Sequence, residues 1–343
     1  MSAGVPDAFH RYREALDGTL RSLLTSRDPD RSGLLYRMLR YHLGWEDAEG
    51  RPSEGDGGKA LRPTLCLLAC EATGGDWRKA LPAAAAVELT HNFSLVHDDI
   101  QDRDPERRHR PSVWAVWGEA QAINAGDALA GLARLAVLEL RAEGLTEGGV
   151  IEAARALDEA TLEMVEGQTL DLSFEDRLDV SEAEYLAMVE KKTGALFGCA
   201  LRLGGLAGSD DGRIAAVLGE LGRRLGVAFQ IRDDVLGVWG EPASTGKARA
   251  TDVWNRKKSL PVVYALSRAE GGELRRVYAK AELSGDDVEA ALAALDSAGA
   301  RQYCEAALTE RRQQALAALD GVELQAGPAR ELREVVEYLL API

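Results

Sequence analysis

Two short runs of aspartate carry the first chemical signal. In THNFSLVHDDIQDRDPERRHRP, Asp98, Asp99 and Asp102 form DDxxD, and in VAFQIRDDVLG, Gln230, Asp233 and Asp234 follow an apolar stretch. On a helix, side chains four apart lie one above the other, so Asp98 and Asp102 share a face with Asp99 beside them. Stacked carboxylates repel one another, and a carboxylate-rich helix end is more often a solvated face than a metal site. Here the preceding turns are apolar, with Phe93, Leu95 and Val96. The aspartates therefore cap a helix expected to be buried, and need a cation to be tolerated there. Hard oxygen donors with room for water suit Mg²⁺ shared with a substrate phosphate. Two such helix ends, if they face each other, form a metal cage for a polyphosphate.

Basic residues supply the complementary half. Lys59 and Arg62 in GDGGKALRP follow a Gly-rich approach to a helix start, where backbone amides and the helix dipole favour an anion. Arg107 and Arg108 follow Asp102 by five and six residues, and guanidinium groups grip diphosphate oxygens bidentately. Lys192, Lys247 and Lys258 are further candidates, although a single Lys or Arg is ordinarily a surface charge. His91 stands seven residues before Asp98 on the same helix face; as a lone His it reads equally as a core residue bonded to a carbonyl. His97 and His109 lack metal-ligand spacing, so no zinc site is expected. Nor does any Ser/His/Asp or Cys/His set suggest a protein nucleophile.

Apolar residues recur at helical spacing through most of the chain, and no alternating run with Asn-Gly or Asp-Gly turns suggests a sheet. An all-α fold follows. Gly- and Pro-bearing breaks near 49–58, 74–76, 104–111, 143–148, 208–212, 240–251, 270–272 and 322–328 divide it into roughly a dozen helical stretches. None is long enough for an interdomain linker, so residues 1–343 read as one bundle-like domain. Cys66, Cys70, Cys199 and Cys304 have apolar neighbours and no CxxC pairing, as expected of buried free thiols in a reducing compartment. The 41 Lys and Arg against 56 Asp and Glu leave a net charge of −15, which argues against a nucleic-acid or anionic-membrane surface. With no long apolar window and no signal-like start, the chain reads as cytoplasmic with its mature N-terminus.

Taken in order, these residues resemble the trans-isoprenyl diphosphate synthase family. The chain meets the family's GGKxxRP (Lys59, Arg62), a His before the first aspartate box (His91), DDxxD with a following Arg pair, GQxxD (Gln168, Asp171), KT (Lys192, Thr193), FQxxDD (Phe229, Gln230, Asp233, Asp234) and GK…D…KxLP (Lys247, Asp252, Lys258). The resemblance implies the helical isoprenoid-synthase bundle, usually a homodimer, with both aspartate boxes facing a central cavity and three Mg²⁺ between them and an allylic diphosphate. Carried over, Asp98, Asp102 and Asp233 are Mg²⁺ ligands, with Asp99 and Asp234 supporting them. Arg107, Lys192 and Lys258, with Lys247 nearby, contact the allylic diphosphate, and Thr193 and Gln230 belong to the same substrate-binding set. Lys59, Arg62, His91 and Arg108 form the isopentenyl diphosphate pocket. Three positions depart from the pattern: Gly237 replaces the last Asp of the second box, His109 stands where Gly is usual, and KARATD replaces a segment with more frequent Pro and Gly.

Product length is expected to depend on Phe93 and Ser94, five and four residues before Asp98, whose side chains project where the prenyl tail grows. An aromatic ring only at the fifth position before the box, with no insertion in the box, resembles geranylgeranyl diphosphate synthases. The expected product is therefore C20, with farnesyl diphosphate (C15) second. Phe93 also fits an ordinary core aromatic. A terpene cyclase on the same fold would have no use for the four residues of the second diphosphate pocket, and a non-catalytic partner subunit would be expected to have lost the first box.

Overall fold

The computed structural model describes residues 5–25, 33–53, 55, 58–240, 249–268 and 271–343. Among them the chain is helical throughout, as the apolar spacing predicts. In order come α1 (Ala8–Arg11), α2 (Arg13–Leu23), α3 (Leu34–His42), α4 (Leu61–Ala72), α5 (Leu81–Gln101), α6 (Val113–Trp117), α7 (Glu119–Leu138) and α8 (Glu147–Phe174). After these come α9 (Glu182–Val189), α10 (Ala195–Gly208), α11 (Gly212–Trp239), α12 (Thr251–Trp254), α13 (Leu260–Leu266), α14 (Gly272–Tyr278), α15 (Gly285–Ser297), α16 (Ala300–Asp320) and α17 (Ala326–Leu339). The break expected near 104–111 holds a small addition: β1 (Glu106–Arg107) and β2 (Arg110–Pro111) pair antiparallel. The helices number more than the dozen expected because short pieces such as α6 and α12 follow directly on the anticipated breaks. No helix among the described residues is long and apolar enough to cross a membrane. All four cysteines are free and buried, as their apolar neighbours implied.

Contacts divide the chain into two compact units. The first comprises Met1–Glu159, Cys199–Gly219 and Glu323–Leu332; the second comprises Ala160–Gly198, Glu220–Val322 and Arg333–Ile343.

In the first unit, α4 and α5 are apolar on nearly every side. Leu65, Cys66, Leu67 and Leu68 on α4, and Ala83 to Val87 on α5, are fully excluded from solvent. The small alanines let α5 lie alongside α7 and α4, so its aspartate-bearing end is carried on a rigid, buried rod. Pro82 in the first turn starts α5 where its missing N–H costs nothing. In the second unit, Phe197 on α10 meets Phe229 on α11 with ring centres 5.4 Å apart. Val238, Val253, Val262, Leu274, Val277 and Leu295 form a core around the end of α11. A capping box between Ser181 and Glu184 starts α9. Its continuation, Glu190–Gly194, winds into a π-helical turn before α10.

Candidate active site

The first aspartate box lies at the C-terminal end of α5. Asp98 is half-buried, Asp99 is 1% exposed, and Asp102 lies in solvent just past the helix, its N–H still bonded to the Asp98 carbonyl at 2.8 Å. Helical backbone geometry thus persists through Asp102, which preserves the stacking that the spacing predicts. Arg107 reaches Asp99 with Nε at 2.6 Å and Nη2 at 2.5 Å. Burial nevertheless outweighs this pairing and pushes the Asp99 carboxyl up to about 6. Its second oxygen, Oδ2, is buried and has no hydrogen-bond partner. The hairpin that presents Arg107 turns through Arg108 and His109, at φ of 53° and 60°. Both positions are left-handed, which explains why Gly suits the place that His109 fills.

Around His91, also on α5, the basic candidates gather. Burial holds its imidazole well below the usual range, and the charges of Arg62, Arg108 and Arg107 act in the same direction. Arg62, at the start of α4, is itself lowered to about 10 by burial, opposed by the carboxylate of Glu88. Glu88 is 5% exposed, and Asn92 Nδ2 donates to its Oε1 at 3.0 Å. Lys59 is exposed next to Gly58, whose carbonyl accepts from Arg13 Nη1 at 2.7 Å. Phe93 stands one turn before the box, edge-on to the His97 ring at 5.0 Å, and Ser94 Oγ donates to the His91 carbonyl at 2.8 Å.

The second box lies near the end of α11. Asp233 is half-buried, whereas Asp234 is 5% exposed and accepts three hydrogen bonds: Tyr185 Oη at 2.5 Å, the Leu260 N–H at 2.7 Å and Gln230 Nε2 at 2.9 Å. Burial, together with the nearby charge of Asp252, still raises its carboxyl to about 7. Gln230 Oε1 in turn accepts from Thr193 Oγ1 at 2.9 Å. Thr193 and Lys192 sit in the π-helical turn, a feature common at functional sites. Lys192 Nζ pairs with Asp171 at 2.6 Å, which links the KT and GQxxD segments; Gln168 is buried one turn earlier on α8. Lys258 Nζ donates to the carbonyls of Glu175 at 2.7 Å and Arg256 at 3.2 Å, and burial lowers its pKa. Lys247 lies outside the described residues.

Gly237, the departure in the second box, has a steric reason. A Cβ there would stand 2.3 Å from Asp252 Oδ2, so the Asp252 carboxylate fills the space that a larger side chain would need. Sequence reasoning missed Tyr185 and the Leu260 N–H as partners of Asp234. Tyr185 precedes its partner by 49 residues, and no local pattern marks it.

Among the described residues, no three His, Cys, Asp or Glu side chains come together closely enough to hold an ion by themselves. Mg²⁺ that keeps several waters and takes oxygens from a substrate phosphate needs no such cage. Within the first box the unpartnered Asp99 Oδ2, and in each box taken by itself the all-oxygen donor set, suit such an ion.

The chain resembles known proteins over most of its length. The polyprenyl synthetase family model matches residues 53–295. The chain is 40% identical over 335 residues to a (2E,6E)-farnesyl diphosphate synthase of Mycobacterium tuberculosis, covering 95% of this chain and 90% of the relative. It is 42% identical over 303 residues to a geranylgeranyl diphosphate synthase of the same organism, covering 87% and 84%. A polyprenyl synthetase structure from Streptomyces coelicolor superposes with a TM-score of 0.90 at 39% identity, over 97% of this chain and 98% of the other. A geranylgeranyl pyrophosphate synthetase from Pyrococcus horikoshii superposes with a TM-score of 0.86 at 32% identity, over 98% and 99%.

Proposed function

The chain belongs to the polyprenyl synthetase family and is a trans-prenyltransferase; from that premise we propose that it condenses isopentenyl diphosphate with an allylic diphosphate to give geranylgeranyl diphosphate. The observation that carries the two-substrate reading is the gathering of Arg62 and Arg108 about His91. Such a concentration of cations beside a neutral imidazole suits a second diphosphate, for which a cyclase acting on one prenyl diphosphate has no use.

In this reading, Asp98, Asp102 and Asp233 would hold Mg²⁺, three ions by family resemblance, with Asp99 and Asp234 behind them. When bound, the metal neutralises charge on the departing diphosphate. Arg107, Lys192, Lys258 and Lys247 orient the allylic diphosphate, with Thr193 and Gln230 fixing the segment that bears Lys192. Fixed cations stabilise the negative charge that develops as the allylic C–O bond breaks. Lys59, Arg62, His91 and Arg108 hold isopentenyl diphosphate so that its double bond meets the allylic carbocation, which converts a bimolecular encounter into a positioned one. The proton lost afterwards goes to the released diphosphate, the base that the family resemblance implies.

A C20 product is supported by Phe93 as a half-buried aromatic five residues before Asp98, with the smaller Ser94 beside it. Farnesyl diphosphate is the second reading, favoured by the name of the 40% identical relative. We take residues 1–343 as one polyprenyl synthetase domain, a reading supported by the 95% coverage in that alignment. A homodimer is supported by exposed Ile123, Leu135 and Leu138 on α7 and Ile151, Leu162 and Val165 on α8. A cytoplasmic location is consistent with the lack of a membrane-spanning helix among the described residues. Incubation with labelled isopentenyl diphosphate, Mg²⁺ and dimethylallyl, geranyl or farnesyl diphosphate in turn tests the proposal. Chain-extended diphosphates ending at C20 are expected; ionised but unextended or cyclised products would refute it.

A further inference from the structure

The last residue of α3, His42, has no place in the sequence motifs, yet it stands with the arginines of the hairpin. With Arg107, Arg108, Arg110, Tyr41 and Ser112 it lines a cavity of about 20 Å³, room for a single water molecule. Its Nε2 is buried with no close hydrogen-bond partner, while the Asn92 side chain beside the imidazole favours its charged form against the burial and the arginine charges. Both amide hydrogens of Asn92 are engaged by Glu88, one to the carbonyl at 2.8 Å and one to Oε1 at 3.0 Å. The charges of Arg62 and Arg108 act on Glu88 as well as on His91, which ties the row Glu88, Asn92, His42 to the arginines around His91. Desolvation and the charges of Arg108 and Arg107 hold the imidazole down to about 3, so it is neutral and can face guanidinium groups without repulsion. Buried polar atoms left without partners are costly, and a site completed by its ligand is one setting that retains them.

We propose that His42 is a positioning residue of the isopentenyl diphosphate pocket: across the cavity the two share, directly or through one water, it fixes the orientation of the Arg108 guanidinium. The inference rests on the assignment of Arg108 to that pocket under the proposed function. Arg108 sits at a left-handed backbone position in the two-residue turn, and its guanidinium passes close over Gly58. His42 does not touch the reacting atoms, and its removal should weaken the grip on one substrate only.

The test is steady-state kinetics of His42→Ala and His42→Gln with both substrates varied, alongside thermal unfolding. Losing one buried hydrogen bond to a charged group is expected to raise the KM for isopentenyl diphosphate about tenfold in His42→Ala, with less than about a twofold change in the KM for the allylic substrate. Glutamine, neutral and able to donate and accept, should return the first KM to within about threefold of wild type. Should His42→Ala fail to fold, His42→Gln and the cationic His42→Arg carry the test, the second raising the isopentenyl diphosphate KM and the first leaving it near wild type. Equal rises in both Michaelis constants, or no rise in either, would overturn the role of His42 while leaving the prenyl-elongating reading intact. A wild-type protein that consumes no isopentenyl diphosphate would overturn both.

Discussion

Asp234 accepts three hydrogen bonds and still holds its proton up to about 7, because burial and the Asp252 charge outweigh what those donors offer the anion. The folded value lies above the ordinary 3.8, so between about pH 4 and 7 the folded protein keeps a proton that the unfolded chain has released. Its contribution to stability is full below that window and declines as pH rises through it. Asp99, at about 6, acts in the same direction. In EDTA the melting temperature is therefore expected to fall from about pH 5 to about pH 7.5, and Asp234→Asn should flatten the decline. An unaltered slope in the variant would show that Asp234 is not the titrating group. At the same scale, Phe93→Ala should lengthen the product by at least one isoprene unit, read by chromatography of the labelled diphosphates. Unchanged length would return Phe93 to the status of a core aromatic.

At the scale of elements, the helix period located α4, α5 and α11, whose apolar runs are long and whose aspartates sit at their ends. Neither the hairpin that presents Arg107 nor the π-helical turn that carries Lys192 was legible. Two-residue strands leave no periodicity, and an α-turn differs from a π-turn by one hydrogen-bond step that packing decides. Gly167 on α8 shows how closely that turn packs: a Cβ there would stand 2.3 Å from the Lys192 backbone nitrogen, so the turn lies directly against the helix. Gly167→Ala is expected to cost about 1–3 kcal/mol in denaturant unfolding by overpacking, and to raise the KM for the allylic substrate as Lys192 is displaced. Wild-type values of both would mean that the turn moves freely away from α8.

For the whole molecule, a net charge of −15 sits poorly with two anionic substrates unless cations intervene. On the proposed reading, Asp98, Asp102 and Asp233 would hold divalent ions that reverse the local sign. Chelation by EDTA should abolish turnover and added Mg²⁺ restore it; turnover that survives full chelation would remove the metal from the reaction. The sequence by itself determined the helical class, the family and the order of the chemical residues, because helix period and motif spacing are local properties of the chain. Only the tertiary structure decided which carboxyls burial raises, that Arg107 engages Asp99, that Tyr185 and the Leu260 N–H support Asp234, and that Asp252 fills the space beside Gly237. Desolvation and hydrogen bonding depend on neighbours that lie far away along the chain, and those neighbours meet only when the helices pack.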